Sequence, residues 1–261
     1  NKQKLENLIK KPISLFAFSA IVSVATMLLY NLPFFNYVVE HTNQSTPIRV
    51  FLIASLVVVM LLVNFLMTYL IVYLMRIVGR ILLALMAIIN ATSLYFILTY
   101  NIIIDEVTIG NVFNTRYSEA SGFFSWSLWA FIIAFGVLPA LFCLLQPVKM
   151  GKAKQMGRYC GISLGIVLAL LLANINQTLW IGQHDTELGG YLQPWTYLVN
   201  SIRVTSIRMA KQAEEIKLPD GKITDNEKAV VVLVIGESAR KANFQLYGYK
   251  RTNNPRLSKQ Q

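Results

Sequence analysis

Five apolar blocks separated by short polar segments fill the first two-thirds of the chain: Ile13–Leu32, Val50–Leu74, Ile81–Ile103, Phe124–Leu145 and Tyr159–Trp180. Each approaches or exceeds the roughly 20 residues a helix needs to cross a hydrocarbon layer about 30 Å thick. The pattern predicts five transmembrane helices. The fifth block has a polar end at Asn174, Asn176 and Gln177, but Ile162–Ala173 is uniformly apolar and stays a span.

After Trp180 the pattern changes. Pro194–Lys217 sets Trp195, Leu198, Val199, Ile202 and Met209 at helical spacing, with Arg203, Arg208 and Lys211 between them. This predicts an amphipathic helix with a basic face, suited either to a membrane surface or to packing on a domain. The stretch from Leu218 to Gly221 is a turn signal. Beyond it, Val230–Ile235 is a β-branched, apolar run that stops at Gly236 and is followed at once by Glu237 and Ser238. A buried strand that delivers polar groups at its C-terminal end has this form, and in open α/β sheets that end binds ligands.

Composition strengthens the membrane reading. The chain is 55% hydrophobic and 14% charged, against about 25% charged for an ordinary soluble domain. The net charge of +11 is topology signal rather than a nucleic-acid footprint. Lys2, Lys4, Lys10 and Lys11 precede the first block, Arg76 and Arg80 lie between the second and third, and Lys149, Lys152, Lys154 and Arg158 lie between the fourth and fifth. Basic loops stay cytoplasmic. The amino terminus is therefore expected inside, with everything after Trp180 outside. The first block has a basic start but no small-residue cleavage pattern, so it is expected to remain as an anchor. Cys143 and Cys160 are expected to be packing residues at the reducing side. His41 and His184 are expected in surface loops.

Two places carry candidate chemistry. Glu237, at the strand end, offers a carboxylate oxygen of the kind that binds zinc. On its residues alone it reads equally as an acid favouring a helix dipole. In Asp105–Ala120, the residues Asn111, Thr115 and Glu119 recur at four-residue steps. If the segment is one helix they share a face, suited to an ammonium-bearing head group or to plain solvation.

The ordered set Gly236-Glu237-Ser238-Ala-Arg240, Tyr247-Gly248-Tyr249 and Asn254-Pro255 resembles the opening of the catalytic domain of the lipid A phosphoethanolamine transferases, membrane enzymes of the alkaline phosphatase/sulfatase superfamily. The family also carries an Asp matching Asp105 and an Asn, Thr and Glu at the steps of Asn111, Thr115 and Glu119, where they help bind the phosphoethanolamine donor. The resemblance implies that Glu237 is a zinc ligand, and that the nucleophilic Thr and the Asp and His ligands lie beyond Gln261. It implies transfer from phosphatidylethanolamine to lipid A or another periplasmic glycolipid through a phosphothreonine, in the inner membrane of a Gram-negative cell, with polymyxin resistance as the consequence.

The expected organisation follows. Residues 1–180 form an α-helical membrane domain of five transmembrane helices with periplasmic loops. Residues 181–228 form a periplasmic linker and bridging helix. Residues 229–261 supply the first strand and helix of an α/β, alkaline-phosphatase-like domain that is incomplete here, so this chain alone is expected to be inactive. Two rival readings are a glycerol-phosphate transferase of the lipoteichoic acid synthase type and a non-enzymatic membrane scaffold.

Overall fold

The computed structural model describes residues 11–42, 44–213, 241–253, 255–256 and 259. The chain divides into two compact units, Asn1–Glu215 and Ile216–Gln261.

Among the described residues of the first unit, four helices are long and apolar enough to cross a membrane, or five if one bent pair counts as a span. The bent pair is α1 (Leu15–Tyr30) and α2 (Leu32–His41), which meet at 58°. The others are α3 (Thr46–Met75), α4 (Ile77–Tyr100), α7 (Trp126–Leu145) and α8 (Ala153–Ala173). Between α4 and α7 lie α5 (Glu106–Asn114) and the single turn α6 (Tyr117–Ala120). After α8 come α9 (Thr178–Gln183), α10 (Asp185–Tyr191) and α11 (Trp195–Ala213).

The spans start and stop for local reasons. Ser14 caps α1, its hydroxyl oxygen accepting from the Ala17 amide at 3.1 Å. Pro33 stands in the first turn of α2 and Pro47 in that of α3, where a missing N–H costs nothing. Asn101 ends α4 in the left-handed conformation, which Asn tolerates. Asn174 ends α8 by turning its side-chain amide back onto the Leu170 carbonyl, 2.9 Å, so the span stops at Ala173 rather than Trp180. Helix α2 fills most of the polar segment between the first and second apolar blocks.

α7 is interrupted by a π-helical stretch, Ile132–Val137. Its Gly136 sits against α4, where an added Cβ would lie 3.2 Å from the Cβ of Ala91 and 3.2 Å from the Cα of Ile88. The carbonyl of Phe135 would in a regular helix accept from residue 139, but that residue is Pro139 and has no N–H. The Tyr30 hydroxyl donates to it instead, at 2.6 Å.

The inner core gathers Leu15 and Phe18 of α1, Phe65, Tyr69 and Val72 of α3, Leu83, Ala84 and Ala87 of α4, and Ala140 and Cys143 of α7. α4 is the central span, with half of its most apolar window buried, against 6% for the peripheral α8. The outer faces are apolar and bare: Leu74 is 71% exposed, Ile77 70% and Leu172 68%. Such a surface is compatible with lipid, not water. The chain is a multi-pass membrane protein.

One end of the bundle collects the basic loops. Ile13 and Ser14 pair in parallel with Val148 and Lys149, and Gln146 Nε2 donates to the Lys11 carbonyl at 2.8 Å. Arg80 closes the C-terminus of α7. Its Nε donates to the Cys143 carbonyl at 2.8 Å and its Nη2 to the carbonyls of Leu144 and Gln146, the latter at 2.7 Å. The segments near Lys11, Arg80 and Lys149 therefore share one end, as the charge pattern requires. These two short strands are not the strand expected at Val230–Ile235, which lies outside the described residues.

In the second unit, Lys241–Asn243 and Gln245–Tyr247 form tight turns. Gly248 follows with φ of 94°, a left-handed conformation that suits glycine. Asn253 braces the pair: its Oδ1 accepts from the Gln245 amide at 3.1 Å and its Nδ2 donates to the Asn243 carbonyl. The run Tyr247-Gly248-Tyr249 thus shapes a turn, as its composition predicts.

Candidate functional site

The segment Asp105–Ala120 is built onto α11. Asp105 caps α5 by accepting from the Thr108 amide at 2.8 Å, and the Thr108 hydroxyl donates to the Ile103 carbonyl at 2.7 Å. Glu106 adds an acid to the first turn, favourable to the helix dipole. Ile104 and Ile109 are buried with Ile97, Tyr197 and Val204. The Ile104 carbonyl accepts from the Thr196 hydroxyl and from Asn200 Nδ2, the latter at 2.9 Å, while its amide donates to the Gly190 carbonyl at 3.3 Å. At the far end, Arg208 Nη2 donates to Asn114 Oδ1 at 2.9 Å, and the guanidinium lies 5.6 Å from the centre of the Phe113 ring.

The expected single helix is not formed. α5 ends at Asn114, Thr115 and Arg116 are extended (ψ 129° and 153°), and α6 starts at Tyr117. Asn111 and Thr115 are brought together. The Thr115 amide and hydroxyl both donate to the Asn111 carbonyl, at 2.8 and 2.7 Å. Glu119 belongs to the next turn, its amide donating to the Arg116 carbonyl at 3.0 Å. The three side chains therefore do not lie on one continuous helix face. All three are exposed. Because the Thr115 hydroxyl proton is committed to a carbonyl, its oxygen remains as an acceptor. It suits an ammonium.

Sequence reasoning missed the residues that hold this platform. Thr196 and Asn200 bond the Ile104 carbonyl just before α5, and Arg208 bonds Asn114 at its end. The apolar stripe used to predict α11 points elsewhere: Leu198, Val199, Ile202 and Met209 are exposed, Ile202 by 71% and Met209 by 66%, whereas Thr196, Tyr197, Asn200 and Val204 are buried. Burial pushes the Tyr197 phenol well above its usual range. A polar face at i, i+4 was visible in Thr196 and Asn200, but nothing local showed that a carbonyl would meet it.

Glu237 lies outside the described residues. Among the described residues no three His, Cys, Asp or Glu side chains gather into a metal site. His41 is the last residue of α2, not a loop residue, and His184 is the turn residue between α9 and α10. The Nδ1 of each meets the carbonyl four residues back, Tyr37 at 3.0 Å and Trp180 at 2.9 Å, and the rings stack on Tyr37 and Trp180 at 4.0 and 4.8 Å. Trp180 Nε1 in turn donates to the His41 carbonyl at 3.1 Å, tying α9 to α2.

Comparison with known proteins bears on these features. Residues 59–209 match the family model for phosphoethanolamine transferase EptA/EptB, a stretch that includes Asn111, Thr115 and Glu119. The chain is 34% identical over 249 residues to phosphoethanolamine transferase EptA of Helicobacter pylori, covering 95% of this chain and 46% of that protein. It is 26% identical over 267 residues to EptA of Escherichia coli K12, covering 98% of this chain and 48% of that one. It is also 26% identical over 267 residues to phosphatidylethanolamine transferase Mcr-1 of Escherichia coli, covering 96% of this chain and 48% of that one. The fold matches the integral membrane lipooligosaccharide phosphoethanolamine transferase EptA of Neisseria meningitidis with a TM-score of 0.77 at 20% identity, over 96% of this chain and 48% of that one. The chain spans about half the length of these relatives. By the family match and the shared bundle, the chain belongs to the phosphoethanolamine transferase family.

Proposed function

We infer that this chain is the membrane and donor-binding part of an enzyme that transfers phosphoethanolamine from phosphatidylethanolamine to lipid A, or to another periplasmic glycolipid, by way of a phosphothreonine. The observation that carries the reading is the family match over residues 59–209, which contains the exposed Asn111, Thr115 and Glu119. The protein sits in a bacterial inner membrane with its basic end cytoplasmic. Residues 1–180 anchor it, α11 bridges, and residues 229–261 open the α/β domain.

The chemistry of the platform supports donor binding. The Glu119 carboxylate pairs with the ethanolamine ammonium, and the Thr115 oxygen accepts from it. The Asn111 amide donates to phosphate oxygens. Arg208 holds the last turn of α5 in place through Asn114. A zinc ion would supply charge neutralisation at the phosphate and activation of the nucleophile. Glu237 suits it as one ligand, and among the described residues no three His, Cys, Asp or Glu gather into a set of their own.

The test uses the full-length protein in liposomes, with labelled phosphatidylethanolamine or phosphatidylglycerol and lipid A as acceptor. Label should pass only from the ethanolamine lipid. Glu119→Ala should lower transfer by about tenfold, the value of one lost charge-assisted contact, with folding unchanged. Transfer from phosphatidylglycerol alone would sink the substrate assignment, and a wild-type rate in Glu119→Ala would sink the donor site.

A further inference from the structure

Away from the Asn111 platform, a second cavity of about 390 Å³ opens between α2, the outer end of α4 and α10. Its polarity is graded. Leu29, Leu94 and Leu98 line the part next to the spans, and Leu32 and Leu98 are 58% and 61% exposed, so that wall is open to the lipid side. Asn36 and Tyr37, with Glu40 one turn further along α2, face the same space, with Asn101 and Tyr191 opposite. The Tyr37 and Tyr191 ring centres are 5.8 Å apart. Burial first, then the carboxylates of Glu187 and Glu40, raise the Tyr191 phenol, so negative field reaches the cavity wall. No described Lys or Arg lines it.

We propose that this cavity binds the head group of an amine-bearing phospholipid, with its ammonium at Glu40 beside the packed Tyr37 and Tyr191 rings and its acyl chains along Leu32 and Leu98. A carboxylate beside aromatic faces attracts a cation. The side-chain amides of Asn36 and Asn101 can donate to a phosphate oxygen. With an acid and no base in the wall, a zwitterionic amine lipid is accepted and an anionic lipid without an amine is repelled. The wall residues Ile97 and Asn101 stand a few residues before Asp105 in the chain, so one short segment joins the cavity wall to α5. The inference extends the donor reading, but it concerns binding and does not depend on transfer.

Native mass spectrometry of the full-length protein, released from micelles doped with equal phosphatidylethanolamine and phosphatidylglycerol of matched chains, tests it. The wild type should retain the ethanolamine lipid in preference. Glu40→Gln should cut that preference by about three- to tenfold, as expected for one partly exposed charge contact, and Glu40→Lys should turn it toward phosphatidylglycerol. Leu98→Trp, which narrows the open wall with Glu40 intact, should lower retention of both lipids. Glu119→Gln, measured beside them, reports the donor platform separately, so either site can fail alone. Wild-type lipid ratios in both Glu40 variants would overturn the proposal.

Discussion

Asn31 and Gln193 exchange two hydrogen bonds across 162 positions of sequence. The Gln193 amide donates to Asn31 Oδ1 at 2.8 Å, and Asn31 Nδ2 donates to the Gln193 carbonyl at 3.0 Å. Both residues are fully buried. Asn31 sits at the break between α1 and α2, and its amide also reaches the Thr26 carbonyl at 3.1 Å. One side chain thus stabilises the helix bend and fixes the chain just before α11. Asn31→Ala leaves buried backbone groups unpaired, which costs about 2–4 kcal/mol. Asn31→Asp keeps the acceptor but loses both donors and should fall between. Thermal unfolding in detergent micelles checks the order; equal midpoints for wild type and Asn31→Ala would refute it.

The Tyr30 hydroxyl replaces a donor that Pro139 cannot supply to the Phe135 carbonyl. Tyr30→Phe should lower stability by about 1 kcal/mol, the net worth of one hydrogen bond. In a Pro139→Ala background the backbone can satisfy that carbonyl, so the same change should cost less. A double-mutant cycle measures the coupling. Strict additivity would show that the hydroxyl acts independently of the proline.

Gly190 allows the Asn101–Asp105 segment to lie against α10. A Cβ there would fall on Ile103 Cγ2, while the Gly190 carbonyl holds the Ile104 amide. Gly190→Ala should displace the segment that starts α5, at an overpacking cost of about 1–3 kcal/mol. In the full-length protein, transfer should fall while membrane insertion stays normal. Protease sensitivity near Asp105 should rise; an unchanged digestion pattern would argue against displacement.

The spans were legible because hydrocarbon demands long uniform apolar runs, and α3, α4 and α7 follow the predicted blocks closely. α2 was hidden because Asn36, Glu40 and His41 lower its hydropathy and Pro33 reads as a loop, although a proline in a first helical turn is equally a start signal. The docking face of α11 was hidden for a different reason. Apolar periodicity finds a face that seeks oil, but α11 docks through Thr196 and Asn200 onto the Ile104 carbonyl, a hydrogen-bonded contact between segments far apart in sequence. Likewise the break at Thr115 and Arg116 has no glycine or proline to announce it. Asn111, Thr115 and Glu119 were visible as a pattern, whereas their separation onto two short helices was not.

Arg208 supplies a discriminating test of how that platform is held. Its guanidinium both donates to Asn114 Oδ1 and lies against the Phe113 ring, so it fastens the last turn of α5 just before the Thr115 break. Arg208→Ala removes both contacts at an exposed position, and global stability should change by no more than about 1 kcal/mol. The local effect should be larger, because Asn111 sits on the released turn and Thr115 follows it directly. Arg208→Lys keeps a cation but not the planar fork, so it should restore part of the function. If Arg208 positions α5, the KM for phosphatidylethanolamine should rise in the order wild type, Arg208→Lys, Arg208→Ala, with kcat nearly constant. A loss confined to kcat would instead place Arg208 against the reacting phosphate.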